Sequence, residues 1–156
     1  MFSHVFVGRL KILAIASLAF AAPAGVFVSQ QVAQAADGEA EELKNDEGVP
    51  QYVVKDGKVD KGTYNGYRRY SSACHVCHGP DGMGSTFAPA LVDSLKNMDY
   101  WAFNDTVTNG RKNGASVMPS FGTDPNVMTH LEDIYRYLKA RSDGKLERGR
   151  PERIKS

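Results

Sequence analysis

Cysteine is nearly absent from this chain: there are two, Cys74 and Cys77, in 156 residues. That excludes a disulfide-rich scaffold and falls short of the four thiolates of a structural zinc or iron–sulfur site. An excess of one charge is also missing, with 19 Lys+Arg against 18 Asp+Glu. Without a strongly basic face there is no electrostatic case for a nucleic-acid partner. The apolar stretch at residues 12–28 runs for 17 residues and is interrupted by Pro23 and Gly25, short of the about 20 that a spanning helix needs. The length itself allows one ordinary domain and argues against two.

The apolar stretch reads better as a secretory signal. Arg9 and Lys11 precede it with no acid in residues 1–11, and Ala33-Gln34-Ala35 puts small residues where a signal peptidase cuts. Cleavage after Ala35 is therefore expected, with a retained anchor as the alternative. The mature chain of 121 residues would carry 17 basic and 18 acidic side chains, a net charge of −1. Export predicts a periplasmic protein with no stable membrane insertion, and it puts both cysteines in an oxidising compartment.

Four segments follow from the patterning: the signal at 1–35, a polar leader with a short hairpin at 36–60, a main domain at 61–141 and a basic tail at 142–156. Residues 37–47 hold six acids and one lysine, too little apolar surface to offset ordering entropy, so a mobile leader is expected. Asp56-Gly57 between short β-type runs predicts a hairpin over 51–59. Helices are expected at 61–73, at 93–109 with Gly110 as the stop, and from the Asp124-Pro125 cap to about Arg141. The last has Val127, Leu131, Ile134 and Leu138 on its apolar face, with Tyr135 and Tyr137 flanking. From Lys139 to Ser156 seven basic and three acidic residues make a +4 end, expected to be solvated.

Three helices and a hairpin make a thin core. The loops at 79–92 and 110–123 are unusually apolar (Phe87, Ala88, Pro89, Leu91; Val117, Met118, Pro119, Phe121), although loops normally avoid burial because their backbone polar groups go unpaired. A large flat apolar cofactor between them would resolve the conflict.

The chemistry sits in Cys74-His75-Val76-Cys77-His78. C-x-x-C-H is the attachment signature of c-type haem: two thiols one turn apart can both add to the porphyrin vinyl groups, and the adjacent His78 presents an imidazole to the iron. One haem c, bound through Cys74 and Cys77, is the expected cofactor. Two other readings exist. A thiol–disulfide exchange couple would need a βαβ surround that the pattern lacks. Zinc would need a fourth ligand at close spacing, and His130 is the only distant histidine of the mature chain.

The sixth iron ligand decides the chemistry, since an open site favours oxygen or peroxide reactions and a sulfur ligand favours electron transfer. Met83 is five residues from His78, too near to reach the opposite haem face, and Met98 and Met128 sit in helical patterns where methionine is commonly a core filler. Met118, in the glycine-containing loop and followed by Pro119 and Phe121, is the expected ligand; His130 or an open site are the alternatives.

Taken in order, the first helix, Cys74-His75-Val76-Cys77-His78-Gly79, Ala88-Pro89-Ala90-Leu91, Asn109-Gly110-Arg111, Val117-Met118-Pro119-Ser120-Phe121 and Ile134-Tyr135-Arg136-Tyr137-Leu138 resemble the small monohaem class I cytochromes c over residues 61–141. The resemblance implies an all-α fold of three to four helices wrapped around one covalent haem, with the short hairpin in front. It also implies that Gly66 and Tyr70 let the first helix cross the last closely, against Ile134, Tyr137 and Leu138. Pro89 would accept the free imidazole N–H of His78, and Leu91 would line the haem edge. The strings GTYNGYRRYSSACHVCHGPDGMGSTFAPALVDSL, VMPSFG and SDGKLERGRP are similar to c-type cytochromes associated with methanol metabolism. That similarity implies an electron carrier rather than an enzyme. Its donor would be a pyrroloquinoline-quinone methanol or alcohol dehydrogenase, and its acceptor an oxidase or another cytochrome.

Overall fold

The structure, a computed structural model, describes residues 43–155; the signal at 1–35 and leader residues 36–42 lie outside the described residues. In chain order the elements are β1 (Val54–Lys55), β2 (Lys58–Val59), α1 (Lys61–Ala73), α2 (His75–His78), a 3-10 turn at Pro80–Gly82, α3 (Leu91–Ser94), α4 (Tyr100–Asn109), β3 (Arg111–Asn113), β4 (Ser116–Met118), α5 (Pro125–Met128), α6 (Leu131–Ser142) and β5 (Glu152–Arg153). No helix among the described residues is long and apolar enough to cross a membrane.

Helix α1 has the predicted bounds. The Asp60 carboxylate starts it, accepting from the Thr63 amide at 2.9 Å and the Thr63 hydroxyl at 2.6 Å, as an N-cap must to satisfy a free first-turn donor. Its buried stripe is Gly62, Thr63, Gly66 and Tyr70, and it lies against α6. The crossing is closest at Gly66, where a Cβ would stand 1.8 Å from the carbonyl oxygen of Asp133. Around that contact the rings of Tyr67 and Tyr70 each sit 5.5 Å from Tyr137, pairs worth about 1 kcal/mol each beyond their buried area.

Two expected helices are broken. Instead of 93–109, the chain makes α3, a turn, and α4, because Asp99 caps a new helix by accepting from the Ala102 amide at 2.8 Å. The buried face of α4 is consequently Tyr100, Phe103 and Val107, and Ala102 is exposed. The Asp124-Pro125 start is as expected, but α5 stops at Met128 and α6 begins at Leu131. Val127, Leu131, Ile134 and Leu138 are all buried, and Tyr135 and Tyr137 join them rather than flanking.

The segments read as mobile or solvated are tied down where they are described. Arg136, 2% exposed, donates from Nη1 to Asp133 at 2.8 Å, from Nε to the Gln51 carbonyl at 3.0 Å and from Nη2 to the Leu43 carbonyl at 3.4 Å. Lys44 meets Glu132 at 2.7 Å, so residues 43–51 are held on α6. The Asp56-Gly57 hairpin is present, with φ of 51° and 73° at the turn, and it gains a third strand from the far end of the chain. β5 pairs parallel to β2, and Ile154 donates to the Val59 carbonyl at 2.8 Å. Between α6 and β5, Leu146 is buried in the core and Arg141 donates to its carbonyl. The basic tail is thus a strap packed on the domain.

Gly66→Ala should lower the unfolding free energy of the haem-loaded protein by about 3 kcal/mol, since backbone cannot yield to a misplaced methyl as a side chain can. Guanidinium titration checks this; an unchanged midpoint would remove Gly66 as the determinant of the crossing.

Candidate functional site

Helix α1 hands directly to α2 through Cys74, which ends one and begins the other. The Cys74 carbonyl accepts from Cys77 at 3.2 Å and from His78 at 3.0 Å. This single turn carries both thiols and the imidazole. Gly79, at φ 73°, stops it. His78 is 7% exposed, and its Nδ1 lies 3.0 Å from the Pro89 carbonyl oxygen. A carbonyl can only accept, so Nδ1 carries the hydrogen, and in the neutral ring the lone pair lies on Nε2.

The loop from Gly79 to Ala90 brings Pro89 to that position by folding back on itself. The Gly84 amide donates to the His78 carbonyl at 2.7 Å and the Ser85 amide to Ala88 at 2.9 Å, while the Ser85 hydroxyl donates to Cys77. A Cβ at Gly79 would lie 2.2 Å from the Gly84 carbonyl oxygen, and one at Gly84 would lie 2.7 Å from the Ala90 nitrogen. Both positions also have positive φ, so glycine is required at each.

Tyr70 holds the same loop from beneath. Its hydroxyl donates to the Gly79 carbonyl at 2.5 Å and accepts from the Gly82 amide at 3.0 Å. Burial pushes its pKa up to about 12 against a partial opposing effect of the Gly82 bond. This second duty of Tyr70 was not read from the sequence, and neither was Asp81. Asp81, at φ 59°, accepts from Arg148 at 3.2 Å and from the Gly149 amide at 3.1 Å, latching the tail to the turn after the motif. The Pro80-Asp81-Gly82 turn sequence was the available signal for it.

Cys74 and Cys77 are not joined to each other. Burial, then the neighbouring Cys77, raises the Cys74 pKa to about 11, the reverse of the depressed pKa an exchange couple needs. Among the described residues no cluster of three or more His, Cys, Asp or Glu could hold a metal ion.

Met118 ends β4. Residues 110–123, expected to be loop, contain the β3–β4 hairpin, which pairs Arg111 with Met118. Beyond Met118 the chain is pinned to the end of α4: Phe121 donates to Val107 at 3.0 Å, Gly122 to Thr108 at 3.0 Å, and the Ser120 hydroxyl to Thr108 at 2.6 Å. Met118 is half-buried against the core, as is Leu91 at the start of α3. The other donors have contacts of their own, Met98 with the core. Met83 accepts from Arg141 at 3.8 Å and Met128 from Thr108 at 4.0 Å. His130 Nδ1 lies 3.2 Å from Asn65 and 3.8 Å from Asp133.

The family described as cytochrome c oxidase, cbb3-type, subunit III matches residues 63–138. Cytochrome c-555 of Methylococcus capsulatus is 40% identical over 96 residues, covering 61% of this chain and 75% of that protein. The chain belongs to the c-type cytochromes. Cytochrome c-553I of Paracoccus denitrificans is 52% identical over 110 residues, or 67% of this chain, which spans 49% of that relative's length. Among solved structures, the c-type cytochrome XoxG from Methylobacterium extorquens AM1 matches with a TM-score of 0.67 and 50% identity over 72% of each chain.

Membership brings one covalently attached haem c, and the residues of this cytochrome fit it. Two unpaired thiols stand one turn apart, and beside them is an imidazole whose outer nitrogen is hydrogen-bonded and whose inner one is not. Val76, Met83 and Phe87, in the motif and the loop after it, and Val117 beside Met118 are exposed, apolar side chains that a flat apolar ligand could cover.

Tyr70→Phe should lower stability by about 2 kcal/mol, because a buried carbonyl and amide both lose their partner. A tyrosine titrating near 10 unfolded and about 12 folded contributes stability that is complete below pH 10 and is lost as pH rises through 12. The alkaline fall in unfolding midpoint should therefore be shallower in Tyr70→Phe; identical pH profiles would contradict the assignment.

Proposed function

We propose that this cytochrome is a periplasmic one-electron carrier in which Cys74 and Cys77 would tether the haem and His78 and Met118 would hold its iron. The observation that carries the reading is the 3.0 Å contact of His78 Nδ1 with Pro89. It fixes the ring's tautomer and orientation and raises the basicity of Nε2, as outer hydrogen bonds do for metal-ligating histidines. When bound, the haem supplies the Fe(III)/Fe(II) couple.

The remainder is work for the protein. A histidine–thioether pair would favour the reduced state relative to two imidazoles, and with both residues holding the iron oxygen or peroxide would have no place to bind. The hydrogen bonds that pin residues 120–122 to α4 restrict how far Met118 can move between oxidation states, so little of the protein need reorganise. Pro89 orients His78, and Leu91 would line the haem edge. No residue here is assigned to bond-making chemistry on a substrate. The mature protein starts after Ala35, and its donor is a quinoprotein methanol or alcohol dehydrogenase, with an oxidase or a second cytochrome as acceptor.

Met118→Ala should abolish the weak long-wavelength sulfur-to-iron band of the oxidised protein and let the reduced protein bind carbon monoxide rapidly. A spectrum indistinguishable from the parent would exclude Met118 as a ligand. Mixing the oxidised cytochrome with a quinoprotein alcohol dehydrogenase and methanol should give stoichiometric haem reduction; no reduction would overturn the donor assignment.

A further inference from the structure

Three Asn-Gly pairs occur in the chain: Asn65-Gly66, Asn109-Gly110 and Asn113-Gly114. Asparagine before glycine is the pair at which a peptide chain most readily attacks itself, because no Cβ shields the following amide. The attack needs that amide free of a hydrogen bond, the asparagine carboxamide free to swing onto it, and room for the peptide between them to turn. The fold withholds these conditions from two of the pairs and meets them at the third.

Asn65-Gly66 lies inside α1, where the Gly66 amide belongs to the helix ladder. The Asn65 carboxamide donates to Asp133 at 2.7 Å and lies 3.2 Å from His130 Nδ1. Asn109-Gly110 closes α4. There the Gly110 amide donates to the Thr106 carbonyl at 2.9 Å, and the Asn109 carboxamide donates to Asp105 at 2.7 Å. A Cβ on Gly110 would also stand 2.7 Å from the Met118 carbonyl oxygen.

Asn113-Gly114 is different. It sits at the tip of the β3–β4 hairpin, where Gly114 and Ala115 make the turn between the paired Asn113 and Ser116. Every residue from Arg111 to Val117 is exposed. Gly114 has φ 59°, and a Cβ built on it would meet nothing within 4 Å. Among the described residues neither its amide nor the Asn113 carboxamide has a hydrogen-bond partner.

We propose that Asn113 is a self-modification site, deamidating onto Gly114 and converting to isoaspartate in the hairpin that carries Met118. The Gly114 nitrogen gives its proton to hydroxide and bonds to Asn113 Cγ. The Cγ–Nδ2 bond breaks, and the nitrogen leaves as ammonia with a proton from water, which restores the hydroxide. Water then opens the cyclic imide at either carbonyl, giving aspartate or isoaspartate without any change of oxidation state.

Isoaspartate routes the main chain through the side-chain methylene and so lengthens it. In β3 the added atom falls at the pair that closes the hairpin, beyond which stand Lys112 with Val117 and Arg111 with Met118. A ribbon this short has little stability of its own, and loss of the closing pair frays it toward Met118. The segment after Met118 stays pinned to α4, so the change frees Met118 from one side. Its effect on the iron rests on the reading of Met118 as a ligand; the deamidation does not.

Haem-loaded protein held at mildly alkaline pH and sampled by peptide mapping should gain isoaspartate at Asn113 about tenfold faster than at Asn65 or Asn109, where reaction waits for a helix to open. The rate should rise with pH, as a step that begins by losing an amide proton requires, and Asn113→Ser should abolish the product. Equal rates at the three sites, or a faster one at Asn65 or Asn109, would overturn the site. Aged protein should exchange the amides of residues 111–118 faster than fresh protein, and the long-wavelength sulfur-to-iron band should weaken in step. Freshly prepared Asn113→Asp supplies the charge without the added backbone atom and should match the fresh parent in both. If it matches the aged parent instead, or if ageing leaves exchange and band unchanged, the hairpin effect is overturned. Should Met118→Ala leave the spectrum unaltered, the ligand reading fails alone, because mapping and amide exchange still decide the modification and its effect on the hairpin.

Discussion

The contact between Gly66 and the backbone of Asp133 sets the geometry on which the haem-attachment site depends. Two helices approach this closely only where one of them has no side chain, and a Cβ there would fall 1.8 Å from a carbonyl oxygen. Once the backbones meet, Tyr70 is carried under the turn that follows the cysteines, and Tyr137 closes over it. The hydroxyl of Tyr70 then satisfies one carbonyl and one amide of that turn. Helix packing thereby becomes loop geometry, and loop geometry decides where the His78 ring points.

Around the site, most of the organisation is done by backbone hydrogen bonds in segments with little regular structure. The loop at 79–90 is apolar yet satisfies its own polar groups by turning back between two glycines, and it presents the Pro89 carbonyl to the imidazole. The segment after Met118 solves the same difficulty differently, borrowing the last free carbonyls of α4. Helix ends leave such groups unsatisfied, and here Val107 and Thr108 use them to hold the neighbouring loop.

Much of this was legible in the chain because local signals were strong. C-x-x-C-H names its own chemistry, Asp56-Gly57 dictates its turn, and α1 lies between an Asp60 cap and the motif. The helix breaks were harder. Asp99 and Thr129-His130 interrupt patterns whose apolar periodicity continues across them, so periodicity alone joined what capping separates. The ties that hold the tail and residues 43–47 went unseen for another reason. Their compositions are those of solvated ends, and what holds them is distant: Arg136 reaches back to Leu43 and Gln51, and Asp81 reaches forward to Arg148. A charged residue at 2% exposure in an otherwise apolar helix face leaves no local trace of the partners that make its burial tolerable.

The strand at Glu152–Arg153 completes a sheet begun at Val54, and its position has a temporal meaning. It is synthesised after the cysteine motif, whereas the edge it covers on β2 comes from residues that precede α1. Closing a loop of that span costs more entropy than closing a local one, and the sheet, the Asp81 latch and the strap all depend on it. Cys74 and Cys77 lie between the two paired strands in sequence. A chain extending past its motif but short of β5 has the cysteine turn without the strap, whose contacts to Asp81 and β2 form only when residues 148–153 fold back.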